Sequence, residues 1–331
     1  MFSTPHLLLN VSPDVRVSHA SSPRDAILTT SQRDLKRLAL TLATTGPVKA
    51  LPTPRQIRLL FNGTYIATST RASYIWEHPF YPQLYLPFSD VHKTLKSTSA
   101  HLRDGETFKT DDGKTVAQQL ILTVNDRTID KIIHFRHDLT GPAESLKSLV
   151  KFDFDSIDAW FEESTRILVH PKDPFKRVEV IQSNRLIRIF ISDILVAEST
   201  FAQHLYETGL PARFYIPFTS LKEPGMLRPS TTRTKCPYKG EAEYYSLVVD
   251  GKEYEDIVWF YDRPTVESSL IQGLLCCKFS WVCVRLGGDV ADGEIVYNEK
   301  VDIELDGEML ERPQTHFGKS KPSENAKPRA L

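Results

Sequence analysis

Apolar and polar residues alternate over short stretches along most of the chain, and turn residues separate these stretches. Residues 57–69, IRLLFNGTYIATS, show the pattern twice, on either side of Asn62-Gly63. An Asn-Gly pair between two extended runs is the strongest short-range sign of a β-hairpin. Residues 244–261 repeat the pattern around Asp250-Gly251. Because Tyr, Val, Ile, Thr and Phe dominate these runs, the chain is predicted to be mainly β.

The sequence contains an internal repeat. Residues 57–88 match residues 187–218 without a gap at a shift of 130 positions. A second block, residues 122–135, matches residues 247–260 at a shift of 125 positions. The aligned pairs include Ala67 and Ala197, Glu77 and Glu207, Tyr85 and Tyr215, Trp259 and His134, and Tyr261 and Arg136. We therefore predict a tandem duplication that forms two similar small antiparallel-sheet domains of barrel or sandwich type.

Composition and turn signals suggest the domain boundaries. Residues 1–46 form an N-terminal extension with a short helix over 31–46, which begins at Ser31 as N-cap and stops at Gly46 before a proline. The first β repeat is expected over 47–165 and the second over 166–312. Residues 313–331 are polar and predicted to be a disordered tail. Residues 169–180, VHPKDPFKRVEV, are either the junction or an ordered crossover that closes the second domain.

Charge and hydropathy exclude two classes of partner. The chain has 41 basic and 42 acidic residues, so it lacks the basic excess of a nucleic-acid-binding protein. It has no apolar run of about 18 residues, and no membrane partner is expected. The first residues make a poor secretory signal, which favours a cytoplasmic protein with reduced cysteines. The expected partner is a small-molecule substrate or ligand, and the chain is expected to be a monomer or a homodimer.

Four short segments resemble the domain-of-unknown-function family 427, whose bacterial members are often single domains and whose fungal members are often tandem. They are HPKDPFKRV at 170–178, ETGLPARFYIP at 207–217, CPYKG at 236–240, and the pair Trp259 and Tyr261. The resemblance covers roughly residues 50–305. It implies a compact β domain and says little about activity.

A nucleotidyltransferase label circulates for this family. That chemistry needs a Gly-Ser turn followed by metal-binding carboxylates. The Asp-x-Asp sequence at 153–155 has no such turn before it, and its carboxylates align with Lys278 and Ser280 in the second copy. A zinc site needs about four thiolate or imidazole ligands, and Cys236 has no nearby cysteine. Neither a metal nor another cofactor is therefore expected.

The segment KCPYKGEAEYY, residues 235–245, belongs to the second copy alone. Cys236 is either a small half-buried residue before a proline or a nucleophile with His170 or His204 as its base. Lys239 lies among aromatic residues, and the loss of hydration there is expected to lower its pKa. The amine could act as a base, form a Schiff base or donate to an oxyanion. Alternatively, it only lies over a tyrosine ring.

Other residues complete the predicted site. Glu207 recurs as Glu77, which suits a structural carboxylate as well as a catalytic one. Arg213 aligns with Gln83 and could fix an anionic or carbonyl oxygen. Trp259 and Tyr261 share a strand face and could wall a flat ligand or pack in the core. The predicted catalytic residues are Lys239, Glu207, Arg213 and Tyr245, and the predicted substrate-binding residues are Trp259, Tyr261, Tyr215, Cys236, Tyr238 and His170.

Two functions fit this set of residues. The first is a cofactor-independent small-molecule enzyme, an acid–base isomerase, lyase or cyclase that acts beside a carbonyl in secondary metabolism. The second is a non-catalytic tandem β module that binds a ligand or a protein. A metal or nucleotide cofactor takes part in neither.

Overall fold

A computed structural model describes the backbone of residues 23–278 and 301–312, and the side chains from residue 34 onward within these ranges. The predicted tail at 313–331 and the first 22 residues lie outside the described residues. The chain is mainly β and consists of two repeated halves, which confirms the fold class and the duplication predicted from the sequence.

The first repeat contains two helices and eleven strands. They are α1 Pro23–Thr45, β1 Lys49–Pro52, β2 Ile57–Phe61, β3 Thr64–Ser69, β4 Ser73–Trp76, β5 Gln83–Pro87, α2 Phe88–Leu95, β6 His101–Lys109, β7 Thr115–Val124, β8 Arg127–Phe135, β9 Leu149–Phe152, β10 Ala159–Glu162 and β11 Thr165–Ile167. Short 3₁₀ helices lie at Gly141–Leu146 and Phe154–Ser156.

The strands of the second repeat follow the same order. They are β12 Val178–Ser183, β13 Ile187–Ile191, β14 Ile194–Ser199, β15 Ala202–Glu207, β16 Arg213–Ile216, β17 Leu227–Cys236, β18 Gly240–Val249, β19 Lys252–Phe260, β20 Leu275–Cys277, β21 Asp302–Leu305 and β22 Glu308–Met309. Short 3₁₀ helices lie at Phe218–Ser220 and Pro224–Met226, between β16 and β17 where the first repeat has α2, and at Val266–Ile271.

Each repeat is built from a seven-stranded and a four-stranded antiparallel sheet. In the first repeat the strand orders are β1-β4-β5-β9-β8-β7-β6 and β11-β10-β2-β3. The second repeat has the same orders, β12-β15-β16-β20-β19-β18-β17 and β22-β21-β13-β14. The main core of each repeat lies between its two sheets and contains apolar residues from both. The other side of each seven-stranded sheet, which we call its outer face, carries a second apolar cluster.

Two hairpin turns have the geometry that their sequence predicts. Asn62 and Gly63, between β2 and β3, have φ angles of 47° and 73°. Asp250 and Gly251, between β18 and β19, have φ angles of 52° and 76°. Two successive residues with positive φ form the turn whose twist matches that of paired strands. The local sequence therefore sets these two hairpins.

Helix α1 ends where the sequence predicts and begins earlier. It runs from Pro23 rather than from Ser31, and it stops at Thr45 before Gly46, whose φ is 74°. The helix packs Leu35, Ala39 and Leu42 on the outer face of the first repeat. A proline at the first helical position is favourable because its missing N–H has no partner there.

The outer face of the second repeat has no such cover among the described residues. The linker between β11 and β12 is residues 168–177, which leaves no room for a helix like α1. Larger side chains occupy the corresponding positions. Gln119 of β7 and Tyr244 of β18 are equivalent positions. Gln119 pairs with Ile133 in the first repeat, and Tyr244 pairs with Trp259 in the second. Trp259 therefore occupies the position of Ile133.

This register corrects the alignment made from the sequence. Trp259 and Tyr261 were expected to correspond to His134 and Arg136, but the strand pairing shifts the match by one position in β19. Trp259 therefore corresponds to Ile133, and Tyr261 to Phe135. The positions are apolar in both copies because both face the outer cluster.

Candidate functional site

Lys239 and Glu207 form a buried ion pair. The Lys239 Nζ donates to Glu207 Oε2 at 2.5 Å, and the two side chains are 12% and 6% exposed. Glu207 ends β15, and Lys239 lies in the turn between β17 and β18. The CPYKG turn therefore carries its lysine to a carboxylate that lies 32 residues earlier in the chain. Two residues predicted to be catalytic are brought together.

The protonation of this pair differs from the sequence-based prediction. Burial lowers the pKa of Lys239. The charges of Cys236 and Glu207, and the hydrogen bond that Lys239 donates to Glu207, outweigh burial and raise this pKa. Burial raises the pKa of Glu207, but the charges and hydrogen bonds of Lys239 and Lys176 bring it below its ordinary value. The expected lowering of the pKa of Lys239 is therefore wrong, because its partner was not visible in the sequence.

A second lysine shares the same carboxylate. The Lys176 Nζ lies 3.4 Å from Glu207 Oε1, and its side chain is 18% exposed. Its ammonium also lies 5.5 Å from the centroid of the Tyr238 ring. We call Glu207, Lys239 and Lys176 the Glu207 cluster. It holds two positive charges against one negative charge.

The first repeat buries an equivalent glutamate with a different lysine. Lys151 Nζ lies 2.7 Å from Glu77 Oε1, and the Tyr85 hydroxyl donates to the same oxygen at 2.9 Å. Lys151 lies on β9 and pairs with Tyr85. Cys276 is its equivalent in the second repeat, because Cys276 pairs in the same way with Tyr215. The glutamate is thus kept in both copies, while its lysine comes from β9 in the first copy and from the turn between β17 and β18 in the second.

The linker connects the two repeats beside the Glu207 cluster. The Asp173 carboxylate accepts a hydrogen bond from Trp76 Nε1 of the first repeat at 3.1 Å. The Asp173 backbone N–H donates to the Tyr238 hydroxyl of the second repeat at 2.7 Å. Phe175 packs against Trp76, with ring centroids 5.9 Å apart. Residues 168–177 are therefore an ordered connection that contacts both copies.

A cleft of about 200 Å³ opens at this connection. We call it the junction cleft. Its lining combines the first repeat, the linker and the second repeat, and includes Arg55, Lys172, Asp173, Lys176, Tyr238 and Glu267. Since Lys176 belongs both to this lining and to the Glu207 cluster, the buried charges border the cleft.

His170 lies close to the same cluster. Its ring stacks on Tyr81 of the first repeat at a centroid distance of 4.0 Å, and its Nδ1 lies 2.8 Å from the Pro171 carbonyl oxygen. Burial and the nearby charge of Lys176 lower the pKa of His170. The lowered pKa favours the neutral imidazole. Its tautomer is fixed, because Nδ1 donates to the Pro171 carbonyl oxygen and Nε2 is then the acceptor.

Arg213 and Cys236 flank the pair at longer range. The charge of Arg213 counteracts protonation of Lys239, which places its guanidinium near the ammonium. Its own hydrogen bonds, to the carbonyl oxygens of Pro211 and Ala212, are long at 3.4 Å. Cys236 is half-buried at the start of the turn. Both residues are therefore neighbours of the Glu207 cluster.

The predicted aromatic wall is packed interior. Tyr215, Trp259 and Tyr261 all belong to the buried cluster on the outer face of the second repeat. The Trp259 indole N–H donates to the Tyr215 hydroxyl at 3.2 Å, and burial raises the pKa of Tyr215 and of Tyr261 well above the ordinary value. These three residues pack in the protein interior and do not line the junction cleft. Tyr238, by contrast, lines the junction cleft.

Tyr245 does not belong to the site. It lies on the opposite side of β18 from Tyr244, packs on the core between the two sheets, and stacks on Phe260 at 5.0 Å. Successive residues of a strand point to opposite faces, so only one of the two adjacent tyrosines can reach the outer face. The prediction of Tyr245 as a catalytic residue is corrected accordingly.

The sequence matches one family model twice, over residues 49–163 and 179–285. The family is described as a domain of unknown function, DUF427. The chain belongs to this family. The two matches together span more than half of the chain and follow the two structural repeats, so this is a tandem DUF427 protein. No curated protein matches it.

Sequence reasoning missed the linker side of this DUF427 site. Lys176 and Asp173 lie in HPKDPFKRV, the segment that carries part of the family resemblance, and neither was predicted as a site residue. The charge pattern itself was a signal, because three lysines and arginines follow His170 within eight residues of sequence. The position of Lys176 beside Glu207 depends on how the linker packs.

Two wider features of the described residues bear on chemistry. Within 34–278 and 301–312, no three His, Cys, Asp or Glu side chains group closely enough to hold a metal ion. No helix in the part of the chain that was searched is long and apolar enough to cross a membrane. The charged side chains that line the junction cleft are those of Arg55, Lys172, Asp173, Lys176 and Glu267.

Proposed function

We propose that this tandem DUF427 protein binds a small organic anion in the junction cleft. The observation that carries the proposal is the sharing of Glu207 by Lys239 and Lys176. Lys239 takes the short contact at 2.5 Å, and Lys176 the longer one at 3.4 Å. The positive charge left over therefore resides on the lysine that faces the cleft.

The rest of the cleft suits a ligand of this kind. Lys172 and Arg55 add two further cations, which have Glu267 and Glu162 as ion-pair partners. Tyr238 offers a ring surface beside Lys176. A cleft of about 200 Å³ is smaller than the ~300–1,000 Å³ sites that hold drug-sized ligands. An acid of metabolite size fits these dimensions.

The protonation states of the Glu207 cluster indicate what it can do chemically. Lys239 is held as an ammonium and Glu207 as a carboxylate near neutral pH, because the pKa of the lysine is raised and that of the glutamate is lowered. Fixed charges of this kind stabilise negative charge on a bound oxygen. They do not abstract a proton. The acid–base isomerase, lyase or cyclase expected from the sequence stays a prediction, and its base has to come from another group.

Ligand-observed NMR tests the proposal. Benzoate and succinate are the anionic probes, and benzamide and succinamide are their uncharged controls. We expect saturable binding of the acids to the wild-type protein and about tenfold weaker binding to Lys176→Met, because a charge-assisted hydrogen bond contributes about 1.5–3 kcal/mol. Lys235→Met is the matched control, since Lys235 is 53% exposed beside Glu241 and does not line the cleft.

Three results would contradict the proposal. One is equal binding of the acids and the amides. Another is unchanged affinity of Lys176→Met for the acids. The third is the absence of saturable binding by any acid.

A further inference from the structure

A partly apolar patch is exposed at one edge of the second repeat. Ile181 on β12 and Tyr206 on β15 are 47% and 45% exposed. Ile181 pairs with His204, and His204 and Tyr206 point to the same face of the sheet because they are two residues apart on one strand. We call Ile181, His204 and Tyr206 the β12–β15 patch.

The first repeat covers the equivalent surface with the linker. Trp76 stands at the position of Tyr206, since the two repeats align at a shift of 130 positions. Trp76 is only 4% exposed, because the Phe175 ring packs against it and the Asp173 carboxylate accepts its indole N–H. The chain that follows the first repeat therefore buries an aromatic residue whose counterpart in the second repeat is open.

A polar atom beside this aromatic residue also differs between the copies. The Tyr74 hydroxyl, at the position of His204, donates to the Glu162 carboxylate. Leu305 replaces Glu162 in the second repeat, because both pair with the first residue of the equivalent strands β2 and β13. His204 Nε2 is buried and has no hydrogen-bond partner among the described residues. The β12–β15 patch therefore lacks a polar partner as well as an apolar cover.

The chain leaves both repeats at the same place. Ile167 of β11 pairs with Trp160, and the Leu310 backbone N–H donates to the Ile303 carbonyl oxygen at 2.8 Å. Trp160 and Ile303 are equivalent, because they pair with the same positions of β2 and β13. Leu310 therefore corresponds to Ile167, and the residues after Leu310 start where the linker starts in the first repeat.

The residues after Leu310 also share a spacing with the linker. Phe175 comes four residues after Pro171 and eight after Ile167. Phe317 comes four residues after Pro313 and seven after Leu310. Residues 313–331 contain no other Phe, Tyr or Trp. This segment thus has one bulky ring, at the distance along the chain that the linker uses.

We propose that the β12–β15 patch is the docking surface for residues 311–317 of the same chain, with the Phe317 ring against Tyr206 and Ile181. The contact removes apolar surface from water and adds an aromatic pair. Because the segment is joined to the repeat, its effective concentration at the patch is on the order of millimolar, so a weak contact suffices. The polar composition of residues 313–331 fits this arrangement, since one ring carries the contact.

This docking surface is independent of the junction cleft. None of the three residues of the β12–β15 patch lines the cleft. Failure of the anion-binding proposal and failure of this one are therefore distinguishable, because each is measured on different residues.

Hydroxyl-radical footprinting of the full-length protein tests the docking. Tyr65, which is 40% exposed, is the internal reference for Tyr206. We expect Tyr206 to be oxidised several-fold more slowly than Tyr65, because docking brings its exposure from 45% towards the 4% of Trp76. Phe317→Ser should raise the oxidation of Tyr206 to the rate of Tyr65. Leu331→Ser is the matched control, since it removes the other large apolar side chain of residues 313–331 and should change nothing.

Dilution separates docking within one chain from association of two chains. Diluting the protein by about a hundredfold weakens contacts between chains by mass action and leaves contacts within a chain unchanged. We expect the protection of Tyr206 to persist on dilution.

Three outcomes would overturn the proposal. Equal oxidation of Tyr206 and Tyr65 in the wild type would show that the patch is open. Protection of Tyr206 that persists in Phe317→Ser would assign the cover to other residues. Protection that disappears on dilution would assign it to a second chain.

Discussion

Replacing Lys239 by methionine is expected to lower the free energy of unfolding by about 3–5 kcal/mol. Removing one partner of a buried ion pair costs this much because the other charge is left uncompensated. Glu207, which is 6% exposed, would keep Lys176 at 3.4 Å, so the loss should lie at the lower end of this range. Urea unfolding followed by circular dichroism measures it.

The effect should depend on pH in a defined way. The lowered pKa of Glu207 contributes stability above the unfolded value, near 4.5, and this stability is lost as the pH falls. The raised pKa of Lys239 contributes stability below its unfolded value, near 10.5, and this stability is lost as the pH rises. The difference between wild type and Lys239→Met should therefore be largest between roughly pH 5 and pH 10.

A control variant and a double variant make the interpretation specific. Lys235→Met removes an exposed lysine from the same hairpin, 3.6 Å from Glu241, and should change stability by less than about 1 kcal/mol. Glu207→Leu combined with Lys239→Met should be more stable than Lys239→Met alone, because no buried carboxylate remains. If the two substitutions add without coupling, the ion pair does not stabilise the fold as described.

The second large effect is expected from Leu42→Ala, at about 2–5 kcal/mol. Leu42 is 1% exposed and anchors α1 on the outer face of the first repeat. Loss of its side chain leaves a cavity under the helix. Hydrogen exchange with mass spectrometry should show lost protection in β7 and β8 and unchanged protection in β16 and β18.

The contrast between the repeats is the decisive part of this result. Thr41→Ala is the control, because Thr41 is exposed on the same helix and should leave exchange unchanged. Equal loss of protection in both repeats would show that α1 stabilises the whole chain. The second repeat would then depend on a helix that does not cover it.

Much of the fold was predictable because its determinants are local. Asn62-Gly63 and Asp250-Gly251 set two hairpins, and the repeated sequence indicated two copies of one unit. The start of α1 was misplaced because Ser31 is itself a favourable N-cap residue, and residues 29–34, TTSQRD, interrupt the apolar pattern between Leu28 and Leu35. The register of β19 was misplaced because Phe135 and Phe260 are identical in sequence and concealed the extra residue.

The site was only partly predictable because its chemistry depends on partners from distant segments. The recurrence of Glu207 and the position of Lys239 in CPYKG identified one pair. The sign of the Lys239 pKa shift followed from contact with Glu207, which no spacing reveals. Lys176 was not predicted because its contact with Glu207 depends on how the linker packs, which no spacing reveals.

In the second repeat, β17 and β19 each carry one residue more than β6 and β8 beside the same stretch of β18, and the Thr232 hydroxyl in β17 donates to the Asp256 carboxylate in β19. These paired bulges limit how such a protein can evolve. An extra residue in one strand alone would leave Thr232 or Asp256 without the group that it bonds, and would bury an unsatisfied oxygen. The two insertions therefore form a single heritable unit. Among tandem members of the family, chains that gained one of them should have gained the other, and alignments should place both gaps or neither.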